Sequence, residues 1–235
     1  MLYKKWEVFY NKIAQDLNLK FEAEHDAANI LNKILKQKKN DILSEKKLKQ
    51  LIKNKEVIIF GAGSTLEEAI RKYKNMIQSK VKITADGATS ALLKNNILPN
   101  IVVTDLDGKI QDQLKASSLG CKTIIHTHGD NTSKIIKYAR EFEGGLFGTT
   151  QINPKPYHYL HNYGGFTDGD RAVFLADHFQ AKKIYLAGFD FDGKIGKYSF
   201  ANNKDKELKL KKLKLCKYLI NVLQKENNNI IYLKV

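Results

Sequence analysis

From residue 56 onward, short β-branched runs alternate with amphipathic stretches, and this alternation limits the chain to very few folds. The runs are VIIF (57–60), VKIT (81–84), IVVT (101–104), KTIIHT (122–127), GLFGT (145–149), KIYLAG (183–188) and IIYLKV (230–235). Segments of about ten or more residues with helical periodicity separate most of them, the pattern of βαβ units around a mainly parallel sheet. The expected fold is therefore α/β, a Rossmann-like sheet flanked by helices. One stretch breaks the pattern: TTQINPKPYHYLHNYGGFT (149–167) is polar and irregular, and a loop of that length in a compact domain is usually functional.

Ahead of the alternation, residues 1–54 read as a helical segment packed on the α/β region. Leu2, Trp6, Phe9, Ile13 and Leu17 recur at steps of three or four and form one apolar stripe. A second helix is expected over 26–37 with Asp26 as its cap, and a third over 41–53. None of these helices carries an obvious chemical group. The expected organisation is thus a helical segment, 1–54, and an α/β catalytic domain, 55–235.

Composition narrows the partners. The 235 residues carry a formal net charge of +15, which favours an anionic ligand. The positive charge is almost all Lys; the arginines are Arg71, Arg140 and Arg171. Lys clusters on helical faces, as between Lys204 and Lys217 against Asp205 and Glu207, and reads as solvated surface. With no nucleic-acid-binding signature present, a nucleic-acid partner is disfavoured. No apolar run is long enough for a membrane span, and MLYKKWEVFY is too charged for a signal peptide, so the expectation is a cytoplasmic protein. Cys121 and Cys216 lack metal-site or disulfide-framework spacing.

In an open parallel sheet, ligands bind where the carboxyl ends of the strands meet their loops. Those positions read GAGST (61–65), ADGAT (85–89), TDLDG (104–108), HTHGDN (126–131), GTTQ (148–151) and GFDFDG (188–193), joined by GGFTDGDRA (164–172) from the long loop. Every end delivers Gly, Asp or a hydroxyl. Gly61, Gly63 and Ser64 open a helix after a strand, so their backbone N–H groups are candidates to cradle a phosphate. Leu66 replaces the third glycine of a dinucleotide fingerprint, and a Walker A motif is absent.

The run PNIVVTDLDG (99–108) aims Asp105 and Asp107 at one place. Two carboxylates about 6–7 Å apart repel by roughly 2–3 kcal/mol at an effective dielectric near 20. Asp86, Asp130 and Asp190 from neighbouring strand ends add to that repulsion, and a cation would remove it. Mg²⁺ suits such a loose oxygen cluster together with substrate phosphates. HTHGDN also resembles the H-x-H-x-D ligand pattern of binuclear metallohydrolases through His126, His128 and Asp130, but Asn131 stands where a further ligand would be expected. Arg171, an Arg in a Lys-rich chain, suggests bidentate phosphate recognition beside Asp168 and Asp170.

Taken in order, GAGSTL (61–66), ADGAT, PNIVVTDLDG, HTHGDN, GTTQ, GGFTDGDRA and AGFDFDG (187–193) resemble the archaeal 6-hydroxymethyl-7,8-dihydropterin pyrophosphokinase family (MptE-type). The likeness covers about residues 55–200 and, more weakly, the helical start with Trp6 and Tyr10. A more distant likeness is to thiamin pyrophosphokinases, although Thr104 and Gly108 stand where that family has Gly and Ser. The resemblance implies transfer of a diphosphate from ATP to a pterin hydroxymethyl group with Mg²⁺, in folate- or tetrahydromethanopterin-type biosynthesis.

It further implies that Asp105, Asp107 and Asp130 meet the metal and that Asp105, Asp107 and Arg171 serve catalysis. Gly61, Gly63, Ser64, Asp86, Gly87, Asp130, Asn131, Asp168 and Asp190 would then contact nucleotide, diphosphate or metal. The partners implied are ATP and a pterin; a homodimer is consistent with related enzymes that share active sites. Gln151, Asn153 and Asp177 are candidates to read the pterin ring. Alternatives are a nucleotide-sugar-dependent glycosyltransferase, since a flagellin-modifying group shares the acidic loops, and a basic non-catalytic nucleic-acid-binding protein.

Overall fold

A computed structural model describes residues 3–192, 195–199 and 206–235; Leu2, Gly193, Lys204 and Asp205, which figure in the sequence motifs, lie outside the described residues. Eight strands form one sheet: β1 (Glu56–Phe60), β2 (Val81–Ala85), β3 (Ile101–Thr104), β4 (Lys122–Thr127), β5 (Leu146–Thr150), β6 (Leu160–His161), β7 (Lys183–Ala187) and β8 (Ile230–Tyr232). The order across the sheet is β6-β5-β4-β3-β2-β1-β7-β8, and every neighbouring pair is parallel. The chain steps outward from β1 to β6, then returns to place β7 on the other side of β1. That reversal makes the β1–β7 boundary the topological switch point, where the loops above the two strands diverge and leave a crevice.

Helices cover both faces, which is why the strands are continuous apolar runs and not alternating ones. On one face lie α4 (Leu66–Lys72), α5 (Lys74–Gln78), α6 (Ala88–Lys94) and α7 (Ile110–Ser118), packed on Ile58, Phe60 and Val102. The larger core joins Val57, Ile59, Val103, Ile125 and Phe147 to α1 (Tyr3–Asp16), α2 (Phe21–Gln37), α3 (Glu45–Ile52), α8 (Thr132–Tyr138), α9 (Asp168–His178) and α10 (Lys206–Glu226). Trp6 is fully buried at the centre of this layer, where its indole donates to the Gln151 carbonyl at 2.9 Å and its ring meets Phe174 edge-on. The amino-terminal helices and the sheet therefore share one core.

Three elements depart from the sequence expectation. The second helix begins at Phe21, five residues before Asp26, and Lys20 precedes it without a side-chain cap. Glu22 and Glu24 in its first turn complement the helix dipole, and its buried face continues back to Glu24, so Asp26 is an exposed residue inside the helix. The third helix begins at Glu45, because Ser44 caps it by accepting from Lys47 N–H; Asp41 instead ends a 3-10 turn. The chain between them pairs with the sheet, through Leu43 N–H to Leu146 C=O at 2.7 Å. Finally, the irregular stretch 149–167 contains β6, two residues long and too short to announce itself by periodicity.

Candidate active site

A cleft of about 640 Å³ runs along the carboxyl ends of the strands, a size typical of small-molecule sites. Strand order sets its layout. At the β1–β7 switch it is walled by Gly61, Ala62, Gly63, Gly188, Phe189 and Asp190. Asp86 and Asp105, from the ends of β2 and β3, line it with Asp168. Beyond them, on the side of β4 and β5, come His128, Asp130, Gln151 and Glu24. Lys209, Lys212 and Leu213 of α10 line the same space.

Among the described residues, Asp86, Asp105 and Asp168 form the one group whose ligand atoms all lie within 4.8 Å of one another. Their placement is costly and deliberate. Asp86 holds φ at +42°, a left-handed conformation that aspartate tolerates better than most residues. Its Oδ1 accepts from Thr104 Oγ1 at 2.7 Å and from Gln113 Nε2 at 2.8 Å. Burial, and then the charge of Asp105, push its carboxyl up to about 7. Asp168 is raised as well, by burial and then by Asp105, against the opposing pull of Arg171.

Asp105 goes the other way. Burial would raise it, but His128, Arg171 and Lys212 outweigh that and hold it ionised. His128 Nε2 lies 3.5 Å from Asp105 Oδ2, while its Nδ1 accepts from the Asp130 N–H at 3.3 Å, which sets the tautomer. Three carboxylates this close disfavour one another's charge, which is why Asp86 and Asp168 are pushed up while Asp105 is held down. A hard dication would relieve that repulsion, and three carboxylates that each offer an oxygen within 4.8 Å of the others beside an open cleft suit such an ion.

The other residues singled out from sequence divide into cleft and scaffold. Asp107 is outside the close group: its side chain is 55% exposed and pairs with Lys134 at 2.5 Å. The strand ends at Thr104, and Leu106 turns to φ +68°, so the two-residue period that would have put Asp105 and Asp107 side by side no longer holds. Asp130 is exposed at the rim and also lies outside the group. Asn131 is buried and spent: its amide donates to the carbonyls of Asp105 and His126 and accepts from His128 N–H. It ties the β3 and β4 loops together instead of facing a ligand.

The Gly61–Thr65 loop is likewise a packing device. Asp190 accepts from Thr65 N–H at 2.7 Å, Thr65 Oγ1 at 2.6 Å and Ser64 Oγ at 3.1 Å. The amides of Gly61 and Gly63 donate to Ala187 and Gly188 carbonyls. A Cβ on Gly63 would sit 2.5 Å from both Asp190 Oδ2 and Gly188 O, so the glycine lets the β1 and β7 loops touch. Few N–H groups of this loop remain for a phosphate. Gly87 lines the cleft next to Asp86.

Arg171 is 6% exposed, donating to Asp168 Oδ1 at 3.0 Å and to the Phe166 carbonyl at 2.6 Å. Its fork positions Asp168. Asp170 receives the amides of Phe166 and Thr167 and folds the loop that presents it. His126 is buried below the cleft on Thr149, so the H-x-H-x-D set does not converge.

Of the ring-reading candidates, Gln151 lines the cleft; Asn153 turns to the Lys155 amide, and Asp177 lies at the amino ends of the strands beside Asn227. Sequence reasoning missed Glu24, Lys134, Lys209 and Lys212, all in the cleft lining. A signal for Glu24 existed: it falls one helical turn before Ala27 and Ala28 on the buried face of α2.

The profile of the family described as 6-hydroxymethylpterin diphosphokinase MptE-like matches residues 25–196. Three proteins named 6-hydroxymethyl-7,8-dihydropterin pyrophosphokinase are similar over most of their length. That of Methanocaldococcus jannaschii is 42% identical, covering 98% of this chain and 99% of its own. That of Pyrococcus furiosus is 43% identical, covering 95% of each. That of Methanothermobacter thermautotrophicus is 37% identical over 83% of this chain and 81% of its own. Among solved structures, the MAf glycosyltransferase of Magnetospirillum magneticum AMB-1 superposes on 59% of this chain and 23% of its own, with 19% identity and a TM-score of 0.42.

Proposed function

The chain belongs to the MptE-like 6-hydroxymethylpterin diphosphokinase family, and on that premise we propose that it transfers a diphosphate from ATP to 6-hydroxymethyl-7,8-dihydropterin. The hydroxymethyl oxygen forms a bond to the β-phosphorus of ATP, and the bond from that phosphorus to the α,β-bridging oxygen breaks. AMP leaves with the bridging oxygen, and the hydroxyl proton is lost. The observation that carries the reading is one cleft with a carboxylate trio along its wall, room on both sides of it, and no Walker A loop.

Asp86, Asp105 and Asp168 would hold Mg²⁺, which, when bound, draws negative charge from the phosphate oxygens. The chain's own groups do the rest. His128 keeps Asp105 ionised and oriented, Arg171 fixes Asp168, and Thr104 with Gln113 fixes Asp86. Lys134, Lys209 and Lys212 face the cleft and offset the charge of the triphosphate. Asp107, with Lys134, and Asp130 serve from the rim. The product suits folate- or tetrahydromethanopterin-type biosynthesis from soluble substrates; among the described residues no helix is long and apolar enough to cross a membrane.

Chromatography of nucleotide and pterin products tests the assignment. AMP should appear in step with a pterin diphosphate, and EDTA should stop both. ADP as the main product, acceptor-independent hydrolysis, or transfer from a nucleotide sugar instead of ATP would overturn it.

A further inference from the structure

Glu24 is a buried carboxylate that the diphosphate transfer does not employ. It sits in the first turn of α2, is 3% exposed, and has no Lys or Arg partner among the described residues. Its Oε1 accepts from the Gly129 N–H at 3.1 Å and its Oε2 from Gln151 Nε2 at 2.9 Å. Each carboxylate oxygen has capacity for a second donor. Burial raises its pKa, opposed by those two bonds, so keeping it there has a cost that surface placement would avoid.

The contact is built, not incidental. A Cβ on Gly129 would lie 2.8 Å from Ala23 Cβ. Only glycine lets the β4 loop close on α2 and hand its amide to Glu24. The neighbouring residue in that loop, His128, reaches Asp105. The amide that Glu24 holds is therefore one residue along the chain from the group that keeps the carboxylate trio in place. Leu17 and Leu19, in the turn that leads into α2, add apolar lining to the cleft.

We propose that this end of the cleft is the acceptor subsite and that Glu24 reads the amino-pyrimidinone edge of the pterin. The inference rests on the pterin pyrophosphokinase reading. That edge presents the 2-amino group and the ring N3–H side by side, two donors matched to two carboxylate oxygens. Adenine offers a donor beside a bare ring nitrogen there and would meet a carboxylate with repulsion. The hydroxymethyl group lies at the far side of the bicycle, so a ring anchored at Glu24 directs it toward Asp105. ATP is left with the β1–β7 switch. Gln151, through its bond to Oε2, is a positioning residue for Glu24.

The test compares wild-type protein with Glu24→Gln on two acceptors, 6-hydroxymethyl-7,8-dihydropterin and its 2-oxo analogue, 6-hydroxymethyl-7,8-dihydrolumazine. Wild type should prefer the amino compound by a hundredfold or more in kcat/KM, on the scale of leaving a buried polar group unpaired. Glu24→Gln should raise KM for the pterin by about tenfold or more, leave KM for ATP within about twofold, and narrow the preference for the amino compound.

An unchanged pterin KM, or a rise in KM for ATP in its place, would overturn the proposal. A thermal melt checks that the variant folds. If it does not, the wild-type preference alone decides, and a ratio near one refutes Glu24 as the reader. Failure of wild-type protein to use either acceptor would instead refute the pyrophosphokinase reading itself.

Discussion

The two carboxylates of TDLDG look equivalent on paper and are not in space. Asp105 is held ionised within the trio, and Asp107 pairs with Lys134 at the rim. Asp105→Asn should therefore cut turnover by at least about a hundredfold, the scale of losing one electrostatic stabiliser, whereas Asp107→Asn should cost less than about tenfold. Steady-state rates at saturating Mg²⁺ and ATP check this, and equal losses would place Asp107 in the centre after all. Asp86 adds a signature in pH. Its folded pKa is about 7 against an ordinary 3.8, so the folded state binds the proton more tightly. The stability this contributes is full below the ordinary value and is lost as pH rises through about 7. Asp168 and Glu24, also raised, act with the same sign, and Asp105, lowered, stays ionised across that window. Thermal melts in EDTA should show a midpoint that falls between about pH 4 and 8, and Mg²⁺ should flatten the fall above about pH 6. A midpoint that rises with pH in EDTA would contradict the buried trio.

At the scale of elements, the legible features had a period. The seven apolar runs all became strands, because a parallel sheet covered on both faces needs uninterrupted β-branched segments. The strand-end loops converged as expected, since parallel strands bring their carboxyl ends to one edge. The features that escaped were decided by contacts distant in sequence. Strand β6 exists because Leu160 pairs with Gly148 and His161 stacks on Phe147 at 4.4 Å. Asp26 is a plausible cap and Lys20 is not, yet α2 starts at Phe21, where its first turn buries Glu24 against Gly129 and Gln151. The sequence places Asp168 at a helix start after two glycines, but its position beside Asp86 and Asp105 in the cleft has no local signature. That place depends on Arg171 and on a loop whose amides are gathered by Asp170. Local pattern identifies which loops converge on the cleft; only packing decides which side chains in them meet.

For the molecule as a whole, the question is whether 1–54 and 55–235 are separable. The sequence pattern changes at the boundary, but the core does not. Trp6, Tyr10, Leu31, Leu35, Leu48 and Ile52 are all fully buried, in one cluster with Phe147 and Phe174. At about 1.5–3 kcal/mol for each large apolar side chain, their loss would remove roughly 10–20 kcal/mol, comparable with the entire net stability of an ordinary domain, about 5–15 kcal/mol. Truncation would also uncover Gln151 and leave Gly129 without Glu24. We therefore expect residues 55–235 alone to lack a cooperative thermal transition by circular dichroism and to bind neither substrate. Adding 1–54 as a separate chain should restore both in part, since the docking surface is apolar and extensive. A sharp transition in the isolated 55–235 chain, with ATP binding intact and pterin binding lost, would show instead that the helices are a detachable acceptor-binding module on a self-sufficient nucleotide-binding sheet.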